Sequence, residues 1–265
     1  MSHDDVEFLA RSPNRAAVLC ELTTGPYTRA ELRDRIGASR VTVGRITTDL
    51  EARGWVEQHG TGYRTTISGE AIATAYEEFV TVTDTTHRLE PLLEFLPTDS
   101  FDFGLAALAD ADVVTPTPTE PGRHLSRLRD HFKSANEVTM VVHAMEPEIV
   151  ASNYETAKSR DFRNRGVLTP AVVEAIRSNP TVCEQVFEMV EADELEFYER
   201  QTVPFQLGIF DETTILSADD ERGVPRGIVE TESAVVRAWA RDAFDRLRTD
   251  ATVVSAARFR DGLVD

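Results

Sequence analysis

The densest set of residues with recognisable chemistry is Ser39-Arg40-Val41-Thr42-Val43-Gly44-Arg45. An arginine can bond O6 and N7 of one guanine together, a threonine offers a hydroxyl and a methyl, and a valine can meet the methyl of thymine. Together they suit base edges in the major groove of double-stranded DNA. Ser39 is better placed for a phosphate contact or for capping a helix. Such readout needs side chains that point outward near a helix start while the opposite face packs inward. Val43, Ile46 and Leu50 supply the inward face at helical spacing, which leaves Arg40, Val41, Thr42 and Arg45 outward.

The flanking sequence has to hold that helix in place. Apolar positions at Val6, Leu9, Ala16, Leu19 and Leu22, interrupted by Ser12-Pro13-Asn14, predict a first helix in two pieces. Thr28 with Glu31 three residues on forms a capping box before Leu32 and Ile36, and Gly37 stops that second helix. After the short turn at Gly37-Ala38, Ser39 opens the third helix, so the pair reads as a helix-turn-helix. Alternating residues on either side of His59-Gly60-Thr61-Gly62 predict a β-hairpin wing, with Tyr63 and Arg64 as candidates for DNA backbone or minor-groove contact. His59 reads as a solvated turn residue.

Charge sharpens this reading. The chain carries 46 acidic residues against 28 Lys and Arg, a net charge of -18. Taken alone, that opposes phosphate binding. Between residues 28 and 66, however, seven arginines face five acids, so this window is +2 and the excess acid lies downstream. Cys20 and Cys183 sit in no CxxC or CxxH spacing, which argues against a zinc site or a disulfide framework, and neither a metal nor a cofactor is expected. With an acidic start and no long apolar run, the sequence reads as soluble and cytoplasmic, with no membrane partner.

These features divide the 265 residues into a winged helix-turn-helix at 1–67, a helical connector at 68–97, a regulatory domain at 98–249 and a flexible tail at 250–265. In the connector, Ile72, Ala75, Phe79, Val82, Thr86, Leu89, Leu93 and Leu96 recur by three and four, a stripe suited to pairing two copies or to lying on its own domain. The fold class is α+β. Strand-like runs fall at 103–109, 138–142, 195–198, 205–210 and 213–216, and helical spacing at 125–132, 170–177, 182–190 and 232–247.

Residues 28–66 resemble the winged-helix half of archaeal transcription regulators. The whole layout, with Phe205-Gln206-Leu207-Gly208-Ile209-Phe210, then Asp211-Glu212 and a final amphipathic helix, resembles the methanogenesis-regulator middle-domain family. Having only Lys133 and Lys158 as lysines, among abundant Asp, Glu and Thr, resembles the proteins of salt-accumulating haloarchaea. The resemblance implies a regulator whose second domain is a degenerate phospholipase D-like fold that has lost catalysis. That chemistry needs paired His-x-Lys-x4-Asp motifs. Here His131-Phe132-Lys133 begins one copy, but Val138 stands where Asp is required, no second copy exists, and the segment reads as the end of a helix.

The expectation is therefore a sequence-specific, homodimeric DNA-binding regulator, not an enzyme, whose second domain answers an unidentified small-molecule effector. Arg123 and His124, after the Pro-rich loop, are candidates for holding an anionic effector, and His143 lies at a strand end of the kind that lines pockets. Against each stands the plain alternative of a satisfied or solvent-exposed side chain. The rival reading is a phosphodiesterase or nucleotide-processing enzyme that uses the winged helix for targeting.

Overall fold

The computed structural model describes residues 3–260. They form two compact units that divide between Thr83 and Asp84, inside a helix.

The first unit is a winged helix. Helices α1 (His3–Ala10) and α2 (Pro13–Glu21) are split where Ser12-Pro13 restarts the chain, with Pro13 in the first helical turn. Helix α3 (Arg29–Ile36) opens on the Thr28–Glu31 capping box and closes on Gly37 at φ 72°, a left-handed geometry that a glycine adopts without strain. Helix α4 (Arg40–Ala52) follows at once, capped by Ser39. Strands β1 (Val56–His59) and β2 (Gly62–Thr65) pair antiparallel with Glu57 opposite Arg64, and an isolated antiparallel bridge joins Tyr27 to Tyr63. Val18, Leu19, Leu32, Val43, Ile46, Leu50 and Trp55 form the buried core. Each such side chain contributes about 1.5–3 kcal/mol when fully buried.

Helix α5 (Ile67–Leu89) is unbroken. Ala73 packs in the core of the first unit, while Leu89, Leu92 and Leu96 pack in that of the second. Between them, Phe79 of the expected stripe is 67% exposed. Pro91 falls just beyond the helix, and a single 3-10 turn, Leu93–Phe95, follows.

The second unit is built on a mixed eight-stranded sheet, which with the winged helix makes the fold α+β. Its elements, in chain order, are β3 (Asp112–Val114), α6 (Arg123–Ser134), β4 (Glu137–Val142), α7 (Pro147–Ser159), β5 (Arg163–Leu168), α8 (Pro170–Arg177), α9 (Pro180–Glu191) and β6 (Leu195–Glu199). They continue with β7 (Leu207–Phe210), β8 (Thr213–Asp219), β9 (Pro225–Thr231), α10 (Ala234–Thr249), β10 (Thr252–Val254) and α11 (Ala257–Arg260). The strand order is β10-β6-β5-β4-β7-β8-β9-β3; β4, β5 and β6 run parallel, and every other neighbouring pair is antiparallel. One core, with Phe132, Val173, Val186 and Phe197, includes residues of α6, α8 and α9; the other, with Leu108, Phe205 and Trp239, includes α10.

Two expectations are corrected here. The run 103–109 is not a strand: Phe101 and Phe103 stack at 4.6 Å and both meet Trp239 edge-on, and the chain then makes a 3-10 turn, Leu105–Leu108. Its apolar residues are drawn onto the indole rather than into a ladder. Nor is the segment from 250 a flexible tail. Strand β10 pairs with β6, and Phe259 of α11 is fully buried, its carbonyl accepting from the Cys183 thiol at 3.2 Å. Residues 261–265 of that expected tail lie outside the described residues.

Candidate nucleic-acid interface

Helix α4 presents two faces because its inward residues recur by three and four. Val43, Ile46, Thr47 and Leu50 are buried, while Arg40 and Arg45 are exposed and Val41 is 81% exposed. The Ser39 hydroxyl accepts the Thr42 backbone N–H at 3.1 Å, and the two hydroxyls lie 2.9 Å apart, so Ser39 and Thr42 fix the helix start. Thr42 remains half-buried beside them.

The decisive feature is how the head's arginines are employed. Of its nine, seven are engaged by the protein itself. Arg11 pairs with Glu7, Arg33 with Asp34, Arg35 with Glu21, Arg53 with Asp5 and Arg64 with Glu57. Arg15 donates to the Phe8 carbonyl, and Arg29 donates to Thr47 and lies over the Tyr63 ring. Among the head's arginines, all of which are described, Arg40 and Arg45 alone have side chains with no ion pair, hydrogen bond or ring contact.

The wing candidates fare differently. Tyr63 does not project: it is 7% exposed and packs in the core, with its backbone bridged to Tyr27 and the Arg29 guanidinium over its ring. It is withdrawn as a contact residue. Arg64 is exposed but held by Glu57 at 2.7 Å across the hairpin. His59 is exposed at the tip.

Gly44 was missed by sequence reasoning, since a glycine inside a helix reads as a weak point. A Cβ built there meets nothing within 4 Å, so packing does not require glycine. It lies one turn from Arg40 and Val41, on the side of α4 that carries the unengaged arginines.

In the second unit, Arg123, His124 and His143 are not gathered into one anion site. Arg123 is exposed at the start of α6. His124 is 9% exposed and lines a cavity, and burial holds its imidazole below the ordinary value, against the opposing pull of Glu146 and Asp219. His143 Nε2 lies 2.9 Å from Asp219 Oδ2.

His131 and Lys133, the start of the His-x-Lys motif, sit in α6, and His131 Nε2 is 3.3 Å from the buried Glu230. Arg127 Nε donates to both Glu230 oxygens, at 2.8 and 2.9 Å. Burial pushes the Glu230 carboxyl up, but His131 and Arg127 outweigh it and hold the carboxyl below its ordinary 4.5. A lowered carboxyl stabilises the fold above its unfolded value and loses that contribution as pH falls through the lower folded value. Urea melts taken from neutral pH down past 4.5 should show an acid-side loss, and Glu230→Gln should flatten it.

Comparison with known proteins follows the same two-part division. Residues 3–88 match the family model described as the HVO_A0261 N-terminal domain. Residues 121–250 match the middle domain of the methanogenesis regulatory protein FilR1. No curated protein matches the sequence.

Among solved structures, the chain is similar to TrmBL2, described as an archaeal chromatin protein with a novel mode of DNA binding. The TM-score is 0.44 at 16% identity, over 96% of this chain and 100% of that one. It is also similar to Nuc from Salmonella typhimurium, a phospholipase D family member, with a TM-score of 0.43 at 10% identity over 55% of this chain and 99% of that one. NucT from Helicobacter pylori gives 0.42 at 11% identity, over 54% and 98%. At TM-scores this low none of the three bears on function. Among the described residues no helix is long and apolar enough to cross a membrane.

Proposed function

We propose that the chain is a sequence-specific transcriptional regulator that binds double-stranded DNA as a cytoplasmic homodimer and answers a small-molecule effector through its second unit. The observation that carries this reading is the state of Arg40 and Arg45, exposed beside Val41 at the start of α4 and left free where every other head arginine has a partner. In a chain of net charge -18, two cations without carboxylate partners, in the first two turns of a helix of this kind, are available to a polyanion. The regulator-type match of residues 121–250 supports the assignment of the second unit. Two copies would place two α4 helices on a palindromic site, and Phe79, exposed on α5, offers them an apolar contact to share. The reading needs no catalytic group and no cofactor.

The test is genome-wide mapping of DNA occupied by the protein in living cells. Discrete sites that share a palindromic motif support the reading, and occupancy without sequence preference refutes it. A second expectation concerns salt, since the acid-rich composition suits molar salt. Each phosphate neutralised contributes about -0.9 to the slope of log K against log salt. Two free arginines per protomer predict a shallow slope, no steeper than about -4 for a dimer. Titration with KCl that abolishes binding far below molar concentration would contradict the halophilic part of the proposal.

Gly44 extends the argument to the backbone. Gly44→Ala should raise the melting temperature, since alanine is favoured over glycine in a helix by about 1 kcal/mol. The same change should weaken operator binding by interposing a methyl where α4 meets the groove. Thermal melts and anisotropy titrations on one preparation check both signs at once.

A further inference from the structure

A cavity of about 130 Å³ lies in the second unit, between one face of the sheet and helices α6, α7, α8 and α9. Its walls are mostly hydrocarbon. The sequence holds four methionines, and all three beyond Met1, namely Met140, Met145 and Met189, line this space. Unbranched, polarisable thioether side chains adapt their shape to a guest. Such a concentration in so methionine-poor a chain gives the cavity an adjustable lining.

Two polar groups interrupt that lining. Asn153 is 5% exposed and its Oδ1 has no hydrogen-bond partner among the described residues. His124 is 9% exposed, and its Nδ1 is likewise unpartnered. Leaving a buried polar atom unsatisfied costs about 1–3 kcal/mol, so two of them on residues that line one apolar cavity would be relieved by a guest that draws them toward it. Ser217, whose hydroxyl donates to Asp219, and Gln206 are polar lining residues too; the Gln206 Oε1 already accepts the backbone N–H groups of His143 and Ala144, so what it retains for a guest is its NH₂.

Size and charge restrict the guest further. An apolar cavity of about 150 Å³ takes up benzene, so this one suits a single ring. The carboxylate among the lining residues, Glu146, is exposed. Burial disfavours the charged form of the His124 imidazole, which makes it a poor holder of an anion.

We propose that this cavity binds an uncharged, ring-sized apolar molecule bearing one hydroxyl, with the ring against the three methionines and the hydroxyl between Asn153 Oδ1 and His124 Nδ1. The hydroxyl donates to the asparagine oxygen and accepts from His124 Nδ1–H, which requires the Nδ1-protonated tautomer. This is a different chemistry from the anion that Arg123 and His124 suggested in sequence. The site deepens the effector part of the regulator reading: any consequence at DNA rests on that reading, whereas binding does not.

The experiment uses the full chain and three probes, p-cresol, toluene and 4-methylbenzoate, followed by calorimetric titration and by the shift in melting temperature. p-Cresol is expected to bind with 1:1 stoichiometry, about tenfold tighter than toluene, as one added hydrogen bond allows. 4-Methylbenzoate should not bind. Asn153→Leu should erase the preference for p-cresol while retaining toluene, and His124→Phe serves the same purpose should the first variant fail to fold. The Arg40→Ala, Arg45→Ala protein should bind p-cresol unchanged, so loss of DNA binding and failure of this site are told apart. Absence of saturable p-cresol binding overturns the proposal. So does equal affinity for p-cresol and toluene, tighter binding of the benzoate, or a preference that survives both substitutions.

Discussion

Replacing Arg40 and Arg45 together by alanine should weaken operator binding roughly 30-fold or more, because each bidentate arginine contributes about 1–3 kcal/mol and about 1.4 kcal/mol is a factor of ten. In a dimer the loss is incurred at both half-sites. The fold should not notice, since exposed changes away from special features stay within about 0.5 kcal/mol. Fluorescence anisotropy on an operator duplex measures the first effect and a urea melt the second. Arg64→Ala is the informative comparison: Glu57 already engages that guanidinium at 2.7 Å, so a smaller loss is expected there. A double variant that binds as tightly as the parent would remove α4 from the interface and with it the proposed function.

Phe259→Ala should cost about 3–5 kcal/mol, a large share of the roughly 5–15 kcal/mol that holds a domain together. Its ring is completely buried in the core that contains Cys183, Val186 and Met189, although it belongs to a four-residue helix six residues from the chain end. Urea unfolding should show a lower midpoint with the same slope. Arg258→Ala, on an exposed side chain of the same helix, should change little. Were the segment a loose tail, neither substitution would register.

The winged helix was legible in sequence because its signals are local and mutually consistent. Thr28 with Glu31, the Gly37 stop and Ser39 as a cap each act within four residues, and each stands in the structure as read. Tyr63 was misjudged because the residue its backbone bridges to, Tyr27, lies 36 residues away in sequence. The second unit was less readable for the same reason. Strand β5 reads Arg163-Asn164-Arg165-Gly166 before its apolar end, and becomes a strand through its place between β4 and β6. Strand β9 hides behind a buried Glu230 that only Arg127 and His131, about a hundred residues earlier, make tolerable. The cavity was illegible altogether: Asn153, His124 and the three methionines come from separate elements, and no spacing links them.

The strand order carries one last implication, for solubility. Both outermost members of the eight-stranded sheet, β10 and β3, are only three residues long, and Asp112 stands exposed in β3. Brief or charged borders offer an intruding strand little to join, which guards against stacking of molecules side by side. Trimming the chain ahead of Thr252 would bare the five-residue β6, with Leu195, Phe197 and Tyr198, as a new border. Residues 252–260 therefore cover a border of the sheet as well as completing a core, and a protein shortened ahead of Thr252 should be found in the pellet.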